Sequence, residues 1–252
     1  MELLGLSYSP WTEKAKWALQ ARSVPFTYRQ YQPVVGELAL RNKLRRWRGV
    51  VSVPVLLRND GPAIGDSYAI ARYADEIGEA PKLVPAQHAQ RIEKLVALSE
   101  RAMSAGRALA LIRVLADREA LIELAPRPLR KLRVLAAGLG RFGVRRTLAK
   151  YGGSEAARAE HEAALTEALD DVREAIVRAP GEGAGRPLLG VFTFADIAVA
   201  QAAAFISPPT TGLRLGAASR RAFTDPERAT RYADVIAWRD ALYARYRGAA
   251  RE

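Results

Sequence analysis

The chain has 252 residues, 49% of them hydrophobic, which suits two packed domains better than one minimal one. It contains no cysteine, which excludes disulfide staples, protein thiolate nucleophiles and Cys-based metal sites, and its two histidines, His88 and His161, are far apart in sequence, so no His-rich zinc site and no metal is expected. The formal net charge of +12 attracts anions, acidic membranes and nucleic acids, but no nucleic-acid motif accompanies it, and arginines spread over helix surfaces account for it.

The first 80 residues mix two periods. Leu3, Leu4 and Leu6 form an apolar run that predicts a buried strand, broken at Ser7-Tyr8-Ser9-Pro10. From Pro10 to Ala21 the spacing of Trp11, Ala15, Ala18 and Leu19 predicts a helix, with proline in its first turn. Val24–Tyr28 predicts a second strand, Glu37–Trp47 a short helix, and Val50–Leu57 a third strand with Pro54 inside it. Asn59-Asp60-Gly61 signals a hairpin turn, and Ala63-Ile64 begins the returning strand. Ser67–Ile77 is helical, with Gly78 to end it.

Residues 81–87 look like a linker, and nearly everything beyond them is helical. His88–Glu123 carries one long periodic pattern. Pro128–Tyr151 is basic and amphipathic. Ser154 caps a helix running towards Arg178, Thr193 opens one that reaches Ile206, and Asp225-Pro226 begins a last one to Arg247. No apolar run approaches the roughly 18 residues of a membrane span. The opening MELLGLSYSPWTEKAKW lacks a leader-like pattern, so a cytoplasmic location is expected.

Four local features together resemble the cytosolic glutathione S-transferase family. Residues 3–19, LLGLSYSPWTEKAKWAL, resemble its first strand, catalytic turn and first helix, in the form used by serine-type classes. Val53-Pro54-Val55-Leu56 resembles its cis-proline loop. Asp66-Ser67-Tyr68-Ala69-Ile70-Ala71-Arg72-Tyr73 is similar to its acidic-Ser-x-x-Ile-x-x-Tyr segment. Thr193-Phe194-Ala195-Asp196-Ile197 matches its buried capping box. The resemblance spans nearly the whole chain and is weakest at 123–153, which is longer than usual. It implies a thioredoxin-like α/β domain (βαβαββα) over residues 1–80, a linker over 81–87, and an all-helical bundle over 88–252 that contributes the electrophile site.

The resemblance further implies glutathione as co-substrate, a hydrophobic electrophile as partner, a homodimer, and a role in detoxification. The main chain of Val53, exposed by a cis Pro54, would pair with the tripeptide as an added strand does. Ser67, at a helix start, would hold the γ-glutamyl carboxylate, and Asp66 the γ-glutamyl ammonium. Ser9 is the residue expected to activate the thiol, with Tyr8 the alternative and Ser7 behind it. Related proteins often place a lysine just before the Val-Pro pair to meet the glycyl carboxylate. Val51 and Ser52 stand there instead, with Arg41, Lys43 or Arg48 as substitutes. Trp11, Met103 and Arg107 are assigned to the electrophile site, with Leu111, Phe205 and Trp238 as further candidates; for each of these except Trp11, core packing is the greater of the two readings.

The reading is therefore a transferase that activates the glutathione thiolate towards an electrophile, peroxide or disulfide. The alternative is a catalytically weak, transferase-like binding or scaffold protein that uses its basic surface. The stretch 127–151 has two readings: a contact with an anionic membrane, and, as the greater of the two, a helix packed on its own domain with a solvated basic face.

Overall fold

In the computed structural model, residues 1–33 and 36–247 are described; the Arg127 side chain and residues 248–252, the end of the expected helical domain, fall outside them. Strand β1 (Glu2–Gly5) leads through a short turn into α1 (Pro10–Ala21), then β2 (Thr27–Gln30), α2 (Glu37–Leu44), β3 (Val55–Leu57), β4 (Ile64–Gly65) and α3 (Ser67–Ile77). The four strands form one mixed sheet in the order β2-β1-β3-β4. β2 runs parallel to β1, while β1/β3 and β3/β4 are antiparallel. This is the thioredoxin-like arrangement the resemblance implies.

Alternation along β1 sends its side chains to opposite faces of the sheet. Leu3 packs with Ala15, Leu19, Ile70 and Tyr73 of α1 and α3. Leu4 packs on the other side with Leu40 of α2 and with Val51 and Val55. β2 starts later than the sequence predicts. Ser23 turns at φ 57°, Val24 is spent in the core, and Pro25 has no N–H to offer a ladder.

The rest is mostly helical: α4 (Ala89–Ala116), α5 (Arg118–Leu124), α6 (Arg133–Lys150), α7 (Arg158–Val177), α8 (Phe194–Val199), α9 (Ala217–Phe223), α10 (Pro226–Arg231) and α11 (Ala233–Leu242), closed by a π-helical turn at Tyr243–Arg247. The single pattern at 88–123 is split because Asp117 leaves the helical region (φ −107°, ψ 105°) and its carboxylate accepts from the N–H groups of Glu119 and Ala120, capping α5. The last helix is split at Tyr232, whose buried phenol donates to Asp170 and to the carbonyl of Thr166. α7 starts at Arg158 rather than at Ser154, because the Ser154 hydroxyl accepts from Ala157 in a turn ahead of it.

Helix α1 is enclosed on two sides. Ala15 and Leu19 face the sheet core, while Trp17 joins a larger core with Ile92, Leu169, Phe194, Ile197 and Tyr243 of the helical half. Segment 81–87 is held as well. The Asp75 carboxylate accepts from the N–H groups of Leu83 and Val84, and the carbonyl of Leu83 accepts from Phe194.

The capping box at α8 does more than cap. Asp196 is fully buried and accepts from the N–H and hydroxyl of Thr193 (2.7 and 3.0 Å) and from the N–H of Leu188 (2.7 Å). Its truncation strands two buried N–H groups. Asp196→Ala is expected to lower unfolding free energy by about 2–4 kcal/mol, against about 0.5–2 for Thr193→Ala, measured by urea denaturation.

Candidate functional site

The register of the sheet gathers three of the sequence-predicted segments at one end. Leu4 pairs with Val55, and Val55 pairs with Gly65. The chain leaving β1 (residues 6–9), the chain entering β3 (Val53-Pro54) and the chain leaving β4 (Asp66-Ser67) therefore all emerge at the same edge.

The turn after β1 is held by close packing. A Cβ on Gly5 would lie 2.3 Å from the Thr12 methyl, so only glycine lets α1 sit this near the strand. The Thr12 hydroxyl accepts from the N–H of Leu6 at 3.1 Å. Ser9 takes an extended backbone (φ −95°, ψ 124°) as the N-cap of α1, yet its side chain makes no capping hydrogen bond. Its hydroxyl is thus uncommitted at the positive end of a helix. Tyr8 packs against a second apolar core, and burial pushes its phenol up to about 12, so it keeps its proton at neutral pH. Ser7 is engaged through its main chain: its N–H donates to Gln30 (3.2 Å) and its carbonyl accepts from Arg214 (2.8 Å).

The Val53–Pro54 peptide bond is cis. Asp66 adopts φ 73°, ψ 134°, a region that costs an L-residue about 1–3 kcal/mol and that concentrates at ligand sites. In that conformation one Asp66 oxygen accepts from the N–H groups of Tyr68 (2.8 Å) and Ala69 (3.1 Å). The cap of α3 is therefore Asp66, and Ser67 is the first helical residue. Ser67 is 1% exposed, and its buried hydroxyl has no hydrogen-bond partner.

Two charged residues near this edge escape sequence reasoning. Lys14 is fully buried on α1. Its ammonium pairs with Glu100 of α4, whose other oxygen accepts from the Trp11 indole at 2.7 Å. Burial pulls the Lys14 pKa down, against the opposing fields of Glu100 and Asp66. A lysine in the middle of an α1 pattern reads as solvated, because its partner lies 86 residues away.

Of the electrophile-site candidates, Trp11 and Arg107 meet. The Arg107 guanidinium sits 4.6 Å from the Trp11 ring and 3.9 Å from that of Tyr151, between the two. Burial lowers its pKa. Phe205 stands 6.1 Å from Trp11. Met103 is fully buried in the second core, as is Leu111 almost completely. Trp238 belongs to the first core, its indole donating to the carbonyl of Arg186 at 2.9 Å.

Of the candidates for the glycyl carboxylate, Arg41 is engaged with Glu37 (2.8 Å) and with the carbonyl of Gly49 (3.1 Å), while Lys43 and Arg48 are exposed. The segment between α4 and α7 supplies a cation the sequence did not reveal: Lys150 of α6 donates to the carbonyl of Val51 at 2.5 Å. Burial lowers the Lys150 pKa. Burial raises the Tyr151 pKa, opposed by Arg107 and by the Ser52 side chain. Among the described residues no group of three His, Cys, Asp or Glu side chains converges as a metal site.

Residues 8–77 match the family described as glutathione S-transferase, N-terminal domain. A probable glutathione S-transferase of Solanum tuberosum is 32% identical over 87 residues, which are 34% of this chain and 37% of that protein. The chain thus spans little more than a third of the length of that curated relative. A glutathione S-transferase of Ceriporiopsis subvermispora, solved in complex with glutathione, superposes with a TM-score of 0.66 at 15% identity, covering 98% of this chain and 96% of that one. A glutathione S-transferase of Methylobacillus flagellatus with glutathione bound gives 0.61 at 15% identity, over 99% and 95%. The fold of both halves is that of glutathione S-transferase structures.

The Lys14–Glu100 pair joins the glutathione S-transferase-like N-terminal domain to the helical half. Glu100→Ala leaves a buried ammonium without a counter-ion. Its cost is expected near the lower end of the roughly 3–5 kcal/mol for breaking a buried pair, since Glu100 is itself 36% exposed. Thermal denaturation should show the loss, and Lys14→Met combined with Glu100→Leu should recover most of it.

Proposed function

We propose that the chain is a glutathione S-transferase of the serine type. Residues 1–80 bind glutathione, 81–87 link the halves, and 88–252 supply the electrophile site. The observation that carries this reading is the buried, unpartnered Ser67 hydroxyl at the start of α3, at the edge where Ser9 and the Val53–Pro54 bond also emerge. A buried hydroxyl left unpaired is costly unless a ligand completes it. A helix start favours an anion.

In this reading the γ-glutamyl carboxylate accepts from Ser67, and the ammonium meets the Asp66 oxygen not used in capping. The tripeptide main chain lies along Val53, and the glycyl carboxylate meets Lys150, which stands in for the lysine missing at Ser52. The reaction begins with loss of the glutathione thiol proton to water. A free thiol near pKa 8.5 is mostly protonated at neutral pH. A hydrogen bond from the Ser9 hydroxyl, reinforced by the α1 dipole, favours the thiolate and lowers that pKa. The thiolate sulfur then forms a bond to the electrophile, and the electron pair of the broken bond departs with the leaving group or moves onto the acceptor. The face of Trp11 and the guanidinium of Arg107 border the space for that second substrate. A cytoplasmic homodimer with a detoxifying role follows from the family resemblance.

Calorimetry with glutathione tests the binding site. Ser67→Ala is expected to weaken binding about ten- to a hundredfold, the value of one hydrogen bond to a charged group. Unchanged binding in that variant removes Ser67 from the site. Absence of binding by the parent at several millimolar removes the reading altogether. Ser9→Ala is expected to leave binding nearly intact and to move the rising limb of the pH–rate profile to higher pH, because the thiolate has lost its donor. A shift in Tyr8→Phe instead assigns the role to Tyr8. Binding without turnover on electrophiles, peroxides or disulfides supports the binding-protein alternative.

A further inference from the structure

The outer face of α6 carries, beside the solvated arginines that the sequence predicts, a row of exposed apolar side chains. Its inward positions, Ala136, Gly140, Val144 and Leu148, recur every four residues and are buried. Gly140 brings α6 so close to α5 that a Cβ there would lie 2.1 Å from the Leu121 carbonyl oxygen, which fixes how the helix is turned. The opposite positions are apolar and in water: Val134 is 79% exposed, Leu135 50%, Leu139 40% and Phe142 55%. Arg141 and Arg145 flank this ridge, exposed and without an ion-pair partner among the described residues. Residues 124–154 contain no Asp or Glu and eight Lys or Arg.

A second patch of the same chemistry borders it. The turn after α2 carries Trp47, 64% exposed, between Arg46 and Arg48, which also lack ion-pair partners among the described residues. Glu37 of α2 links the two: one carboxylate oxygen pairs with Arg146 of α6 at 2.8 Å, and the other with Arg41, which donates to the carbonyls of Arg46 (3.4 Å) and Gly49 (3.1 Å) on either side of Trp47.

We propose that this face, the outer ridge of α6 with the Trp47 turn beside it, docks on an anionic lipid membrane. Exposed aliphatic and aromatic side chains rimmed by unpaired arginines match the acyl boundary and the phosphate layer of such a surface. Tryptophan suits the interface between them. The charge selects the occupant. A second copy of this chain seated face to face opposes two acid-free, basic surfaces. A nucleic acid satisfies the arginines and leaves the apolar ridge in water. Seating is peripheral, since no helix among the described residues is long and apolar enough to cross a bilayer.

The test is co-sedimentation of the full chain with extruded vesicles of phosphatidylcholine alone and of phosphatidylcholine with phosphatidylserine. The parent is expected to sediment with the anionic vesicles only, less as salt rises, with a blue shift in emission that Trp47→Phe removes. Val134→Glu with Phe142→Glu, and separately Arg141→Gln with Arg145→Gln, are each expected to lower partitioning roughly tenfold or more while the melting curve stays that of the parent. Both pairs point away from the core and from the glutathione site, so glutathione binding should be unaffected and the two readings fail independently. Equal binding to neutral vesicles, no binding to either, or binding unchanged in both paired variants overturns the proposal. Self-association in solution that Phe142→Glu abolishes, without lipid binding, assigns the face to a second copy. Salt-sensitive DNA binding that survives Val134→Glu with Phe142→Glu, again without lipid binding, assigns it to nucleic acid.

Discussion

Helix α1 carries two adjacent charges, Glu13 and Lys14, into the interior, and among the described residues the ion pairs of both are made with the helical half. Glu13 is met by Arg247 at 2.6 Å, both side chains being almost fully buried, and Lys14 by Glu100. A charge removed from water must be paired or it neutralises. The two halves of the chain therefore cannot be separated without exposing or stranding both pairs. Everything at the edge of the sheet depends on this. The turn that presents Ser9 is the start of α1, and the helix that presents Trp11 to Arg107 is the same one. Apolar burial of Trp17 among residues of the helical half holds the same face.

The candidate site is built from ends of elements. Ser9 precedes α1, Pro54 precedes β3, and Asp66-Ser67 joins β4 to α3. Ends have unsatisfied N–H groups and permit unusual backbone. Here they include a non-glycine residue at φ 73° and a buried hydroxyl with nothing to bond. The surroundings must over-determine such a conformation for it to persist. The sheet register and the Asp66 cap do so. On the proposed reading, these uncompensated groups are what a tripeptide with two carboxylates and an ammonium completes.

The parts legible in the sequence are those with local causes. α1 and α3 have the bounds that Pro10, Ser67 and Gly78 suggest, because caps and breakers act within a turn. The capping box at Thr193–Asp196 is a four-residue signal and forms as such. What escaped was set by distant partners. α9 has no local start signal. Its first N–H groups, those of Ala218 and Ser219, are capped by Glu123, about a hundred residues earlier in the chain. Lys14 and Lys150 look like ordinary surface lysines until Glu100 and the Val51 carbonyl are placed beside them. The apolar ridge of α6 was hidden in a mixture of leucines and arginines, because which leucines face inward is decided by how closely Gly140 approaches α5.

The hydrogen bond from Lys150 to the Val51 carbonyl joins an outer helix to the strand-leading segment two residues before the cis bond. Arg146, one turn earlier on the same helix, reaches a different element, pairing with Glu37 at the start of α2. Together the two contacts hold α6 against the N-terminal half at two places, at the start of α2 and at the segment leading into β3. A displacement of α6 that lengthens the Lys150 bond therefore costs about 0.5–1.5 kcal/mol and leaves the Val51 carbonyl, two residues before the cis bond, to find another donor.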